Sequence, residues 1–136
     1  MRKIYFGHPI SFYNTPVETF LMEQIAKAFP ASELVNPGLK IHGENYKKWK
    51  EETGNGMNYF FQEVLPSCHG GVFLPFEDGL FGKGVFGEAK FLSDLDRITC
   101  EIDFTGRVFP LILDEARCLS LEETRKRVYP DANKPR

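Results

Sequence analysis

The sequence predicts a single α/β domain, a parallel-sheet three-layer sandwich of the flavodoxin or Rossmann type. Short apolar runs typical of buried strands alternate along the chain with segments of helical periodicity, which favours a parallel sheet with right-handed crossovers. The chain has 136 residues, of which 42% are hydrophobic, and this suits one packed core. We assign the domain to residues 1–129 and a flexible, polar tail to residues 130–136.

The first part of the chain predicts a strand, a loop, a helix and a second strand. The run KIYFG, residues 3–7, is apolar enough for a buried strand. Thr15 can cap a helix, Pro16 fits its first position, and Glu18 would complete a capping box. After this helix, ELVNP at residues 33–37 predicts a short second strand.

The middle of the chain predicts two helices and a central strand. GENYKKWKEETG, residues 43–54, is polar and helical in pattern, and the apolar residues at 57, 60, 61, 64 and 65 follow the spacing of an amphipathic helix that ends at Pro66. GGVFLPF, residues 70–76, lacks polar alternation, as expected for a strand covered on both faces. Pro75 should end its pairing.

The last part predicts a fourth helix, two strands and a final helix. The loop FEDGLFGKG leads into a helix from about Gly84 to Leu95. RITCEID at residues 97–103 and RVFPLIL at 107–113 are strand candidates, and Ser120 opens a second capping box. Ligands bind beyond the carboxyl ends of the strands in such sheets. The loops 8–14 and 76–83 should therefore form the binding edge.

Composition excludes several classes of function. The net charge is -2 and no basic stripe is present, so nucleic-acid binding is not expected. No apolar stretch is long enough for a membrane span, and the N-terminal apolar run is too short for a signal peptide. The three cysteines form no CxxC pair and the three histidines no HExxH pattern. We therefore expect no metal site, no disulfide framework and a cytoplasmic location.

The segment GKGVFGEAKF, residues 82–91, contains the main catalytic candidate, Glu88. Its glycines let the backbone approach a ligand, and the helix amino terminus near Gly84 offers N–H groups to a sugar hydroxyl or phosphate. Glu88 lies within about the first turn, where the helix dipole favours an ionised carboxylate. Such a group can attack an anomeric carbon. The plain alternatives are a glycine-rich turn and a carboxylate that only complements the dipole.

Further candidates lie at the same predicted edge. Tyr5, near the end of the first strand, can orient the Glu88 carboxylate by a hydrogen bond, or can be a core aromatic residue. Glu77 and Asp78 can hold sugar hydroxyls, or can be solvated loop residues.

The first loop adds candidates for contact with a base. His8 can contact a ligand or lie on the loop surface, and the aromatic residues Phe12 and Tyr13 can stack on a base. Cys68 precedes the central strand, at the edge opposite the binding edge, and we interpret it as structural.

These motifs resemble the nucleoside 2-deoxyribosyltransferase family and its nucleotide N-glycosidase relatives. The resemblance depends on KIYFG, GGVFLPFEDG at residues 70–79 and GVFGEAKF at 84–91, in that order. It implies that Glu88 is the nucleophile, that Tyr5 orients it, and that the loop from Gly7 to Tyr13, including His8, lines the base pocket. It also implies a glycosyl-enzyme intermediate, no cofactor, and a homo-oligomer in which a neighbouring subunit completes the site.

The chain departs from the family pattern at three places. Gly82 stands where the family has an Asp six residues before its nucleophile, and Lys90 replaces a small glycine two residues after it. Ser67 or Cys68 stands where the family often has an Asp before the central strand. Despite these departures, the resemblance and the pair Glu88 and Tyr5 predict cleavage or transfer at the N-glycosidic bond of a (deoxy)nucleoside or nucleoside monophosphate. The alternatives are a non-catalytic nucleotide-binding or sensing module and an interaction domain without a small ligand.

Overall fold

The structure, a computed structural model, describes residues 2–129; the predicted tail, residues 130–136, lies outside the described residues. Within them, five strands form one sheet in the order β2-β1-β3-β4-β5. Their bounds are Arg2–Gly7 (β1), Ser32–Val35 (β2), Gly70–Phe73 (β3), Ile98–Ile102 (β4) and Val108–Pro110 (β5). Strands β1 to β4 are parallel, and this order is the flavodoxin-like one. The predicted α/β sandwich is confirmed.

The predicted helices are all present in the described chain. Their bounds are Pro16–Ala28 (α1), Lys40–Thr53 (α2), Lys83–Asp94 (α4) and Leu121–Val128 (α5). Between α2 and β3, α-helical Met57–Tyr59, π-helical Phe60–Val64 and 3₁₀-helical Leu65–Ser67 follow one another without a break, and we call the three together α3. No helix of residues 2–129 is long and apolar enough to cross a membrane.

The sheet is covered on both faces, which explains the apolar runs without alternation. Tyr5 and Phe73 face one way and pack with α3 and α4, while Phe6 and Val72 face the other way and pack with α1. Because successive strand residues point to opposite faces, the two layers of helices make the parallel strands apolar throughout.

Strand β5 is the antiparallel strand of this mostly parallel sheet, because it pairs with β4 in the opposite direction. The connection from 103 to 107 is a tight turn, in which the Asp103 carboxylate accepts from the N–H groups of Thr105 at 3.0 Å and Arg107 at 3.1 Å. Gly106 takes the positive φ of 88° that the turn requires. A connection this short makes a hairpin and cannot make a parallel crossover.

The two predicted capping boxes differ in outcome. Ser120 and Glu123 make both reciprocal bonds at the start of α5. Thr15 does cap α1 by accepting from the N–H of Glu18 at 3.3 Å, but the return bond from the Glu18 side chain is absent. That carboxylate instead contacts His8 Nε2 at 2.7 Å and accepts from the backbone N–H of Asn14 at 3.2 Å.

The segment that leads into α5, residues 114–120, contacts the loop after β3 and brings α5 to the binding edge. Phe81 pairs with Cys118 in a parallel β-bridge. Arg117 makes two bonds to the Glu101 carboxylate, at 2.8 and 2.7 Å, and its Nε–H donates to the carbonyl of Gly79 at 3.0 Å. These contacts place α5 above the amino end of α4.

Candidate active site

A cavity of about 270 Å³ opens at the carboxyl ends of β1 and β3, and we call it the site cavity. Its polar, buried end is formed by Tyr5 from β1 and Glu88 from α4. Aromatic rings form much of its wall, and α5 contributes to its lining from above. The wall and upper residues include Tyr13, Tyr46, Phe60, Phe76, Thr124 and Val128.

The contact between Tyr5 and Glu88 joins two elements that are 83 residues apart in the chain. The Tyr5 hydroxyl donates a hydrogen bond to Glu88 Oε2. Burial raises the pKa of Glu88 to about 8, although the hydrogen bond from Tyr5 acts in the opposite direction. Burial and the neighbouring Glu88 charge hold the pKa of Tyr5 well above its usual range. Tyr5 is therefore a permanent donor to this carboxyl group.

The protonation of Glu88 corrects the expectation that the helix dipole keeps it ionised. Helix α4 begins at Lys83, which places Glu88 in the second turn, where the effect of the dipole has fallen off. Removal from water disfavours the charged carboxylate, and this effect on the pKa is larger than that of the hydrogen bond from Tyr5. In the free protein the carboxyl group is mostly protonated at neutral pH.

Gly7 lies beside the carboxyl group rather than in the cavity lining. A Cβ at this position would lie 2.5 Å from Phe73 Cδ1 and 3.4 Å from Glu88 Oε1. The first distance is shorter than a side chain can tolerate, so the close approach of β1 and the Phe73 ring requires glycine here. Its missing side chain also leaves Glu88 Oε1 uncovered on this side.

His8 is buried and lines the site cavity. Its ring lies flat against Phe6, with centroids 4.0 Å apart. Nδ1 is 2.9 Å from the Phe6 carbonyl oxygen, which can only accept, and Nε2 is 2.7 Å from Glu18 Oε2. Nδ1 therefore carries a hydrogen, and one proton lies between Nε2 and Glu18. Burial lowers the pKa of His8, while the bond to Glu18 opposes the change.

Because both nitrogens of His8 are engaged, the residue offers a ligand its carbon surface and no free donor or acceptor. The predicted placement of His8 at the ligand edge agrees with the geometry. Glu18, its buried partner, was not recognised from the sequence as more than a capping residue.

The amino end of α4 also reaches the cavity, through Gly82 and Gly84. The N–H of Lys83 donates to Thr124 Oγ1 at 2.9 Å, so α5 satisfies the first donor of α4. A Cβ at Gly82 would lie 3.1 Å from Thr124 Cγ2. Gly82, where the resembled family has an Asp, thus makes room for α5.

Three residues that were predicted to contact a ligand do not line the site cavity. Phe12, Glu77 and Asp78 instead line a shallow depression that shares Phe76 with that cavity. Phe12 packs edge-on against Phe104, with centroids 5.4 Å apart. Asp78 is held by two bonds from Arg127, at 2.9 and 2.7 Å. These three residues therefore do not line the site cavity, and the contacts of Phe12 with a base and of the acidic pair with sugar hydroxyls stay predictions.

Several lining residues were missed because they come from distant segments. Tyr46 lies on α2, and Thr124 and Val128 lie on α5. Phe60 was assigned to the core alone, because its helical spacing gives no sign that one side of α3 borders a cavity. Among residues 2–129, no group of three or more His, Cys, Asp or Glu side chains is placed to hold a metal ion.

Comparison with known proteins adds no relative. No protein-family model matches the sequence, and no curated protein or solved structure matches it. The resemblance to the nucleoside 2-deoxyribosyltransferase family therefore stays a prediction from sequence motifs. The case for function depends on the geometry of the site cavity.

Proposed function

We propose that this chain cleaves the N-glycosidic bond of a (deoxy)nucleoside or nucleoside monophosphate, with Glu88 as the nucleophile. The sugar then passes to water or to a second base. The observation that carries the proposal is the buried carboxyl group of Glu88, held by the Tyr5 hydroxyl at the end of a cavity. The cavity lies at the carboxyl edge of the sheet, where ligands bind in this architecture. Its aromatic wall suits the flat, apolar face of a base.

The geometry supports a double-displacement reaction. Tyr5 engages Glu88 Oε2, so Oε1 is the oxygen available to attack C1′. As the O–C1′ bond forms, the C1′–N bond breaks and its electron pair moves onto the base. Water or an acceptor base then attacks C1′ of the glycosyl-Glu88 ester and releases the carboxylate. The hydrogen bond from Tyr5 fixes the orientation of the carboxylate in both steps.

The pKa of Glu88 sets a condition on this chemistry. With a pKa of about 8, the group must lose its proton before it can attack. Activity should therefore rise with pH through this value in the free protein. The pH dependence follows from burial of the carboxyl group, and no second titrating group is needed to explain it.

Release of free base tests the proposal directly. The wild-type protein is incubated with a panel of nucleosides and monophosphates, with and without an acceptor base, and products are separated by chromatography. Glu88→Gln keeps the size and the hydrogen-bonding shape of the side chain but removes the nucleophile, and should abolish release. Absence of release from every substrate, or release by the variant at the wild-type rate, would sink the proposal.

A second candidate function is a nucleotide-binding or sensing module without turnover. It is favoured by the raised pKa of Glu88, about 8, because a protonated carboxyl group can donate a hydrogen bond to a ligand but cannot attack it. Ligand-dependent thermal stabilisation without any product would support this function. A measured turnover that requires Glu88 would exclude it.

We also propose a cytosolic, homo-oligomeric protein. Its three cysteines are free, as expected in a reducing compartment. Large apolar side chains are exposed, among them Ile112 at 77% and Ile41 at 55%, and such surface is available for contacts between subunits. Light scattering coupled to size exclusion tests the oligomer, and a monomer at all concentrations would contradict it.

A further inference from the structure

Tyr13 is one of three tyrosines that line the site cavity, with Tyr5 and Tyr46. It follows the 3₁₀ turn Ile10–Phe12 and lines the cavity together with Tyr5 and Glu88. One side of its ring meets His8, with centroids 4.8 Å apart. The backbone of Gly38 approaches it so closely that a Cβ there would lie 3.0 Å from Tyr13 Cγ. These contacts fix the ring against the cavity wall.

The Tyr13 hydroxyl is accessible and is not engaged by another group of the described protein. Within residues 2–129 it makes no hydrogen bond, whereas the Tyr5 hydroxyl is used by Glu88. No buried side-chain oxygen or nitrogen of the described chain lacks a partner. An unpartnered hydroxyl on Tyr13 must therefore be accessible, and its ring lies in the cavity wall. Burial and the charge of Glu88 raise the pKa of Tyr13, which agrees with a position near the carboxyl group and keeps the hydroxyl protonated.

We propose that the Tyr13 hydroxyl is a catalytic hydrogen-bond donor to the leaving base. This inference rests on the proposed function, cleavage of an N-glycosidic bond by Glu88. When the C1′–N bond breaks, its electron pair stays with the base, whose carbonyl oxygens and ring nitrogens gain negative charge. A fixed donor beside these atoms stabilises the transition state. The proton remains on Tyr13, and water later protonates the released base.

The chemistry favours the base over the sugar as the partner of this donor. A hydrogen bond to the ring oxygen of the sugar would oppose the positive charge that develops there. Sugar hydroxyls can instead donate to the carboxylate of Glu88. The leaving base is the one part of the substrate that gains negative charge and also carries acceptor atoms next to the breaking bond.

The test compares bases of graded leaving ability on one sugar. Tyr13→Phe removes only the hydroxyl and keeps the ring that His8 and Gly38 contact. We expect it to lower kcat/KM about 10²-fold for the poorest leaving base and less than about fivefold for the best. Tyr59→Phe is the matched control, because it removes a phenol hydroxyl that lies outside the cavity lining, 2.7 Å from His42 Nδ1. It should change kcat/KM for every substrate by less than about threefold.

The outcomes separate this inference from the proposed function. An equal loss across all bases would assign Tyr13 a packing role and overturn the inference, as would no loss at all. No turnover by the wild-type protein would overturn the proposed function and the inference with it. Fluorotyrosine at position 13 keeps the ring and the hydroxyl and gives a second readout. Its more acidic phenol should speed the reaction of poor leaving bases, and an unchanged rate would count against the donor role.

Discussion

The substitution Tyr5→Phe tests the central contact of the site. It removes the hydroxyl that donates to Glu88 Oε2 and keeps the ring in the core. A hydrogen bond to a charged group contributes about 1.5–3 kcal/mol, which corresponds to about one to two pKa units at 1.36 kcal/mol each. The pKa of Glu88, about 8 with Tyr5 present, should therefore rise to about 9–10 in the variant.

This change predicts a rate effect that depends on pH. At pH 7 the ionised fraction of Glu88 falls from about one tenth to between about one hundredth and one thousandth. The value of kcat/KM should fall about 10–100-fold at pH 7. Near pH 10 the difference should shrink to about twofold or less, because the carboxyl group is then largely ionised in both proteins.

The assay is free-base release measured from pH 6 to 10, from which the midpoint of the kcat/KM profile is taken for each protein. Glu88→Gln supplies the baseline without a nucleophile, and Tyr46→Phe should keep the wild-type midpoint. If the profiles of wild type and Tyr5→Phe have the same midpoint, the Tyr5 hydroxyl does not set the ionisation of Glu88, and the reasoning is refuted.

Three further predictions concern stability, each measured by urea unfolding. The raised pKa of Glu88 stabilises the fold at low pH, and this contribution, up to about 5 kcal/mol, is lost as pH rises from about 4.5 to about 8. Glu88→Gln should flatten that loss. Parallel curves of unfolding free energy against pH for the two proteins would contradict the assignment. Gly7→Ala should cost about 1–3 kcal/mol, since its Cβ would come within 2.5 Å of an aromatic carbon of β3. Gly84→Ala, which meets nothing within 4 Å, should cost far less, and equal costs would refute the steric argument. Arg117→Met leaves the buried Glu101 carboxylate of β4 unpaired and should lower the free energy of unfolding by about 2–4 kcal/mol. Arg127→Met, which breaks the more exposed pair with Asp78, should lower it by less.

The elements that form the site could be predicted because each has a strong local signal. The apolar run of β1 placed Tyr5 at a strand end, and the glycine-rich start of α4 placed Glu88 just beyond the central strand. Since parallel strands share one carboxyl edge, two separate local signals were enough to predict a contact across 83 residues. The direction of strand β5 could not be predicted from its own pattern, because that pattern shows a strand but not its partner. The short connection from 103 to 107 is the signal that indicates a hairpin.

The properties that depend on packing could not be predicted in the same way. The ionisation of Glu88 is decided by its burial beside the site cavity, whose lining comes in part from α2, α3 and α5, and no spacing in the sequence specifies that arrangement. The acidic residue Asp78 fitted both a ligand contact and a solvated loop residue, and in the structure Arg127 from α5 engages it. Competition between a predicted ligand and a distant side chain is a tertiary effect. Local sequence therefore located the site better than it specified the residues around it.

We expect helix α5 to determine the residue at position 82, where the chain departs from the resembled family. Thr124 of α5 accepts from the N–H of Lys83 through Oγ1, and its Cγ2 would lie 3.1 Å from a Cβ at Gly82. The backbone of Gly82 has φ of -58°, which any residue can adopt, so space and not conformation should select glycine here.

A double-mutant cycle separates these two causes. Gly82→Ala should destabilise the wild-type protein by about 1 kcal/mol, because a contact of this length forces Thr124 to move. Thr124→Ser keeps the capping oxygen and removes Cγ2, so Gly82→Ala in that background should cost about 0.5–1 kcal/mol less. Additive costs in urea unfolding would show that α5 does not determine the residue at position 82. Coupled costs would support the view that α5 occupies the space that an acidic side chain fills in the resembled family.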